Sequence, residues 1–340
     1  MLNAVRLRID LAYDGTGFYG WAKQPEIRTV QGEIERVLHT ILRVPEGDPT
    51  EPLRLTVAGR TDTGVHASHQ VCHLDVNEDV LKRCVGHMDV PPVIALTRRL
   101  QRMLPADIAI RGIAPAPDGF DARFSALERT YVYRIADRSS EVDPRTRNFV
   151  LHIDDELDIK SMNEAAAMTI GLHDFGSFAT PNPGGTTIRE VKTAYWRRVP
   201  QRTLIDDGMT MGERYRTPTV ESGLVCFVIV ADAFARNMVR SLVNGCVQVG
   251  IGTFPRLVCR KNGGSAARRL HRTDRAARTD AGAYRISGRR PAGGPRRSHS
   301  RQAHTVALLR LSQPGYGRLS CPLPRHCRNR PFRFPETLVR

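Results

Sequence analysis

The sequence predicts an α+β fold made of two similar halves, each with a mainly antiparallel sheet flanked by helices. Three observations predict it. Short apolar–polar alternations recur through the first 250 residues, and a period of two marks half-buried strands. About two helix-period segments fall in each half, without the regular strand–helix–strand rhythm that builds parallel sheets. The two halves also hold similar numbers of elements, although no sequence repeat links them. The expected boundaries are 1–113 for the first unit, 114–254 for the second, and 255–340 for an Arg-rich tail.

The elements follow in order. Val5, Leu7, Ile9 and Leu11 alternate with Arg6, Arg8 and Asp10, which reads as a strand closed by the turn residues of Y-D-G-T-G. Thr29 is placed to cap a helix, its hydroxyl accepting from the first free amides. Val30, Ile34, Val37, Leu38, Ile41 and Leu42 then recur at helical spacing and predict one buried face. Pro45–Pro52 is a loop, Leu55 and Val57 read as a strand end, and Val65–Val76 as another strand. A helix over Val93–Leu104 stops before Pro105. Residues 106–120 hold Ile108, Ile110 and Ile113 and then A-P-A-P-D-G, which reads as a crossing between the halves.

In the second half, Arg129–Ile135 is a strand with Tyr131 and Tyr133 on one face. A helix spans Ile159–Ile170, Pro181–Gly185 is a loop, and Ile188–Trp196 and Leu224–Val230 are strand-like. Ala235–Val249 reads as a helix with Met238, Val239, Leu242, Val243 and Cys246 on one side, and Arg236 and Arg240 four apart on a shared face. From about Phe254 the apolar periodicity ends. High like charge and low apolar content then predict disorder or an altered reading frame, with Thr305–Leu311 the only short apolar patch.

The formal net charge of +16 is unevenly placed. Residues 256–340 hold 21 Arg or Lys against Asp274, Asp280 and Glu336, a net +18. The other 30 bases and 32 acids, in 1–255, leave that part at −2. Affinity for a polyanion must therefore come from local clusters of bases. No run of eighteen apolar residues suggests a membrane span, and the N-terminus enters a strand pattern directly instead of a secretory leader. Seven scattered cysteines fit reduced thiols in a cytoplasm.

The stretch L-T-V-A-G-R-T-D-T-G-V-H-A at 55–67 places one carboxylate, Asp62, between two glycines and beside Arg60. A carboxylate on a tight loop next to a cation can be a reactive group. An Asp before Thr-Gly is also an ordinary turn former, its side chain bonding its own backbone. His66, His69, Cys72 and His73 match no zinc spacing, and on a strand His69 and His73 face away from Cys72. No G-x-G-x-x-G, P-loop or G-x-S-x-G motif is present, so no nucleotide cofactor is expected.

Five ordered blocks carry a resemblance. A-G-R-T-D-T-G-V-H-A at 58–67, Y-D-G-T-G-F-Y-G-W at 13–21 with R-T-V-Q-G-E-I-E at 28–35, F-D-A-R-F-S-A-L-E-R-T-Y-V-Y at 120–133, H-D-F-G-S-F at 173–178 and A-D-A-F-A-R-N-M-V-R at 231–240 are similar to the tRNA pseudouridine synthase A family. The resemblance runs from about Val5 to Gly252. Ala22 and Thr97 stand where the family usually has Gln and Asn. The family's closing strand, of Gly-Leu-x-Leu type and ending in Tyr-Pro, is not found after Gly252.

The resemblance implies a pseudouridine synthase fold with a cleft between the two domains, and conversion of uridine to pseudouridine at positions 38, 39 and 40 of the tRNA anticodon stem-loop. It implies no metal and no cofactor, and a homodimer in which one tRNA touches both subunits. Asp62 would be the essential carboxylate, acting at C1′, at C6 or as a base. Arg240 would pair with Asp62. Tyr131 would stack on the uracil and take part in proton removal near C5. Arg60 would hold the flipped nucleotide or fill the gap it leaves. Arg123 and Arg129 are candidate substrate contacts, as are Arg6, Arg8 and Arg236 on the RNA backbone. Two alternatives stand beside this reading: an RNA-binding protein impaired by loss of the last strand, and a sister synthase acting on another RNA.

Overall fold

The computed structural model describes residues 3–180, 184–202 and 219–253, together with the backbone of a strand at Thr305–Leu311. The first half contains β1 (Ala4–Tyr13), α1 (Val30–Leu42), β2 (Thr56–Val57), β3 (His66–Asn77), α2 (Glu78–Lys82), α3 (Pro92–Met103) and β4 (Ile108–Pro115). The second contains β5 (Ala126–Ala136), β6 (Val150–His152), α4 (Ile159–Ala167), β7 (Gly171–Asp174), β8 (Ile188–Arg198), β9 (Val225–Ala231) and α5 (Met238–Gly250). The strand at Thr305–Leu311 is β10.

All ten strands join one sheet, ordered β4-β1-β3-β10-β5-β9-β8-β7, with β2 on β3 and β6 on β5. Every pairing is antiparallel except β10 with β3 and β6 with β5. The architecture is therefore α+β and mainly antiparallel, as the sequence predicts. The two halves meet at β10. Its Ala307 stands opposite Ala67 of β3 on one side and Tyr131 of β5 on the other.

Each half has its own apolar core. Leu7, Ile9 and Leu11 of β1 alternate inward against Leu38 and Leu42 of α1 and Leu96 and Leu100 of α3. Full burial of one such side chain contributes roughly 1.5–3 kcal/mol. Thr29 caps α1, accepting from Gly32 N–H at 3.3 Å, and the predicted apolar face of that helix is buried throughout. In the second half, Tyr133, Ile135, Phe227 and Ile229 pack under Met162 of α4 and Met238 and Leu242 of α5. Trp196 stacks on Phe227 with ring centroids 4.7 Å apart.

Several expectations need correction. Residues 106–120 are not simply a crossing, because their first part forms the edge strand β4. Opposite β4, Leu11 faces Ile110 while Asp10 faces Gly112. The extra residue, Arg111, is a bulge that shifts the phase of Ile113 and hides the period of two. The last helix begins at Met238 instead of Ala235, because Asn237 has φ 63°, ψ 0° and cannot continue a right-handed helix. Arg236 therefore lies outside α5 and does not share a helical face with Arg240. The helix predicted over Ile159–Ile170 ends at Ala167, and Gly171 follows at φ +108°. Residues Leu55–Val57 yield only the two-residue β2. Short α2 and β6 were not anticipated.

The sequence predicts no closing strand, yet Thr305–Leu311 supplies one between β3 and β5. The rest of the expected Arg-rich tail, 255–304 and 312–340, lies outside the described residues. So do residues 181–183 of the predicted Pro181–Gly185 loop.

Candidate active site

The segment from Ala58 to Val65 joins β2 to β3, and its main chain is fastened along its length. Ala58 N–H donates to Val71 O at 2.9 Å and Gln70 Nε2 to Gly59 O at 2.9 Å. Trp21 N–H reaches Thr61 O at 3.0 Å, and Gly64 N–H reaches Phe18 O at 3.2 Å. The Thr61 hydroxyl lies 2.7 Å from the buried Tyr13 hydroxyl. Val65 N–H closes the turn on Asp62 O at 3.2 Å. The Y-D-G-T-G-F-Y-G-W block is thus the buttress of this loop.

Two glycines make that contact possible. A Cβ on Gly15 would fall 2.1 Å from Val65 O, and one on Gly20 would fall 2.8 Å from Thr61 O. Gly20 also has φ +93°, a conformation that L side chains rarely adopt.

On this held backbone the Asp62 side chain is exposed. Among the described residues no hydrogen bond or ion pair engages its carboxylate, including from its own turn. The local-turn role open to this residue is therefore not seen, and the charge faces outward.

The second half brings three groups to the same place. Tyr131 projects from β5 and is half-buried, with Phe234 edge-on to its ring at 4.9 Å and 83°. Burial and the negative charge of Asp62 push its hydroxyl up to about 12, opposed by the cations Arg129 and Arg240. Arg240, from the first turn of α5, donates Nη2–H to Thr63 O at 3.1 Å. Its contact is with the residue beside Asp62, and no ion pair between Arg240 and Asp62 within 4 Å occurs. Asn237 begins α5 by donating Nδ2–H to the Thr180 hydroxyl at 2.8 Å, and Thr180 N–H reaches Arg236 O at 2.9 Å.

Arg129 ties the halves together. Its guanidinium donates to Ala58 O of the first half, to Asp232 O after β9, and to Arg123 O at 3.3 Å. Its Nε would lie 3.2 Å from a Cβ on Gly59. Burial lowers its pKa from the ordinary arginine value.

The other candidate residues lie around this centre. Arg60 is exposed and lines an open groove of about 570 Å³ with Lys23, His39 and Arg54. Arg123 is exposed, with its guanidinium carbon 5.5 Å from the Phe124 ring centroid. Arg236 is exposed. Arg6 is held bidentately by Asp75 at 2.6 and 2.7 Å and also reaches Phe120 O. Arg8 is paired with Asp10.

The histidines and cysteine on β3 take separate partners. His66 meets Asp14 at 3.0 Å, His69 meets Asp10 at 2.8 Å, and His73 Nδ1 accepts from Ala122 N–H at 3.0 Å. Cys72 is buried in the first core, where burial raises its thiol pKa.

Sequence reasoning missed Phe234 and the bracing role of Arg129. Phe234 was within reach, since it sits in the A-D-A-F-A-R-N-M-V-R block. The carbonyl partners of Arg129 leave no side-chain signature.

Comparison with known proteins gives the family. The family model described as tRNA pseudouridine synthase matches residues 165–269. The chain is 74% identical over 247 residues to the tRNA pseudouridine synthase A of Bifidobacterium longum (strain DJO10A), covering 73% of this chain and 82% of that protein. The enzyme of the same name from Bifidobacterium animalis subsp. lactis (strain AD011) is 68% identical over 247 residues, covering 73% and 81%. That of Streptomyces griseus subsp. griseus is 45% identical over 251 residues, covering 74% and 77%. On these identities and coverages, the chain belongs to the tRNA pseudouridine synthase A family.

Proposed function

We propose that this chain converts uridine to pseudouridine at positions 38, 39 and 40 of the tRNA anticodon stem-loop, with Asp62 as the essential carboxylate. The coarser activity, pseudouridine formation in tRNA, follows from family membership. The observation that carries the finer reading is the exposed, unengaged carboxylate of Asp62 on a braced loop, with Tyr131 and Arg240 of the other half beside it.

The reaction breaks the N1–C1′ glycosidic bond, rotates the base and joins C5 to C1′, one proton leaving C5 and one arriving at N1. A uridine in a stem must first leave its stack, at a cost of a few kcal/mol. In this reading Asp62 acts next to the ribose and base, through C1′, C6 or proton abstraction. Arg240 holds the loop through Thr63 O, next to Asp62. Tyr131 stacks on the uracil.

The electrostatics add a sequence to these events. At neutral pH Tyr131 carries its proton, because burial and the Asp62 charge raise its pKa to about 12. When Asp62 gives up its charge by forming a bond, the upward push it exerts disappears while Arg129 and Arg240 remain. Tyr131 then gives up its own proton more readily, and only the phenolate so formed can take the C5 proton, while N1 of the turned base gains one. The family's homodimer, with one tRNA touching both subunits, is part of this proposal. No helix among the described residues is long and apolar enough to cross a membrane.

The test is Asp62→Asn, assayed by tritium release from 5-tritiated uridine in tRNA. Release should fall to background while tRNA binding stays within a few-fold; retained turnover defeats the reading. Asp62→Asn should also lower the pKa of Tyr131, read by ultraviolet titration of the tyrosines against wild type. An unchanged titration would sever the proposed link between the two groups.

A further inference from the structure

Residues 120–125 form a short bend before β5 whose main chain is fastened at most positions. Phe120 and Ala122 turn inward, onto Ala58 and Val71. Arg6 Nη1–H donates to Phe120 O at 2.6 Å, and Ala122 N–H donates to His73 Nδ1. Asp121 Oδ1 accepts from Arg123 N–H at 2.8 Å and Phe124 N–H at 3.0 Å. Ser125 N–H returns to Asp121 O at 2.7 Å. Phe124, in contrast, is 80% exposed. A phenylalanine left in water on a backbone this constrained is held out for contact, since the hydrophobic effect disfavours its exposure.

Its position is specific. One nitrogen of Arg129, Nη2, donates both to Arg123 O and to Ala58 O, so the bend lies against the start of the loop that carries Asp62. The Arg123 guanidinium covers one side of the Phe124 ring. An aromatic ring with one guanidinium over it, beside the proposed catalytic loop, matches an unpaired nucleobase and its phosphate. A plain apolar protein contact would not need the cation over the ring.

We propose that Phe124, with Arg123 laid against its ring, is a stacking platform for an unpaired base of the RNA that neighbours the extracted uridine, Arg123 meeting the adjoining phosphate. This rests on the reading of the chain as an RNA-modifying enzyme. Extraction of one base uncovers the face of its neighbour. A fixed ring that covers that face favours the extracted state.

The test measures binding of an anticodon stem-loop RNA to full-length protein in the Asp62→Asn background, so that no turnover intervenes. Phe124→Ala should weaken binding about tenfold, within the range for loss of one base–aromatic stack, with an unchanged salt slope. Phe124→Tyr and Phe124→Trp should restore affinity, and the tryptophan emission of the latter should be quenched by RNA. Phe124→Leu, apolar but without a π-face, should not restore it. Arg123→Ala should reduce the salt slope by about one contact's share, roughly 0.7–0.9.

Full affinity in Phe124→Ala or in Phe124→Leu overturns the platform. So does a change of oligomeric state in Phe124→Ala, seen by light scattering, which would assign the ring to a second protein copy. Tritium release by Asp62→Asn alone would reject the catalytic reading and leave the binding result standing, so the two failures are distinguishable.

Discussion

Helices α1 and α3 cover β1, β3 and β4 in the first half much as α4 and α5 cover β5, β8 and β9 in the second. The halves differ in what they bring to the seam. The first presents a loop whose main chain is bound at nearly every residue and whose one acid, Asp62, is left exposed. The second presents Tyr131, Arg129 and Arg240, a ring and two cations drawn from β5 and α5. A carboxylate alone on such a loop is only a charge in water. Tyr131, and Arg240 on the Thr63 carbonyl, lie beside it because a different half of the chain is docked there, and β10 with Arg129 joins the two halves.

The difference can be broken most completely at β10. Leu308→Pro removes a backbone donor from a strand paired on both sides, where proline is not accommodated. Since β10 bridges β3 and β5, the expected outcome is a lower thermal midpoint together with loss of tritium release; unchanged melting would show that the halves hold together without it.

Arg129→Ala leaves the carbonyls of Ala58, Asp232 and Arg123 without their common donor. A buried acceptor left unsatisfied costs about 1–3 kcal/mol. A loss of about 2 kcal/mol in chemical denaturation is expected, with kcat falling more than KM rises because the Asp62 loop loses its tether to the second half. A pure stability loss with normal kcat would reduce Arg129 to a structural strut.

The smallest effect concerns a contact inside the second half alone. The Asp137 carboxylate is buried, which raises its pKa, but Arg198, the Ser140 hydroxyl and Leu157 N–H outweigh that and hold it below the ordinary value. The native state therefore binds this proton less tightly than the unfolded chain. The associated stability is present above the unfolded aspartate pKa of about 3.9 and is lost as pH falls through the lower native value. Asp137→Asn should flatten the decline of the thermal midpoint below about pH 4 without altering tritium release at neutral pH. An unchanged acid profile would remove Asp137 from the acid-labile groups.

Much of the fold was legible in the chain. The alternation of β1, the cap at Thr29 and the apolar face of α1 are local patterns that local chemistry enforces. Two of the failures were also local in origin. Arg111 bulges and breaks the period of β4, and Asn237 takes a left-handed conformation that delays α5. Neither residue type signals its backbone angle uniquely. Of the site, Asp62, Tyr131 and Arg240 could be named from the ordered blocks. Their mutual arrangement could not, because Arg240 reaches the carbonyl of Thr63, and a carbonyl is present at every residue.

By itself the sequence determined the longer strands and helices, such as β1, α1 and β5, the family and the groups with chemistry to offer, since these depend on periodicity and residue type. The tertiary structure alone decided that Thr305–Leu311 takes the slot between β3 and β5, that Arg129 spans the halves through carbonyls, and that Phe124 is held in water beside the Asp62 loop. Each is a relation between segments remote in the chain and is set by the packing of the whole sheet.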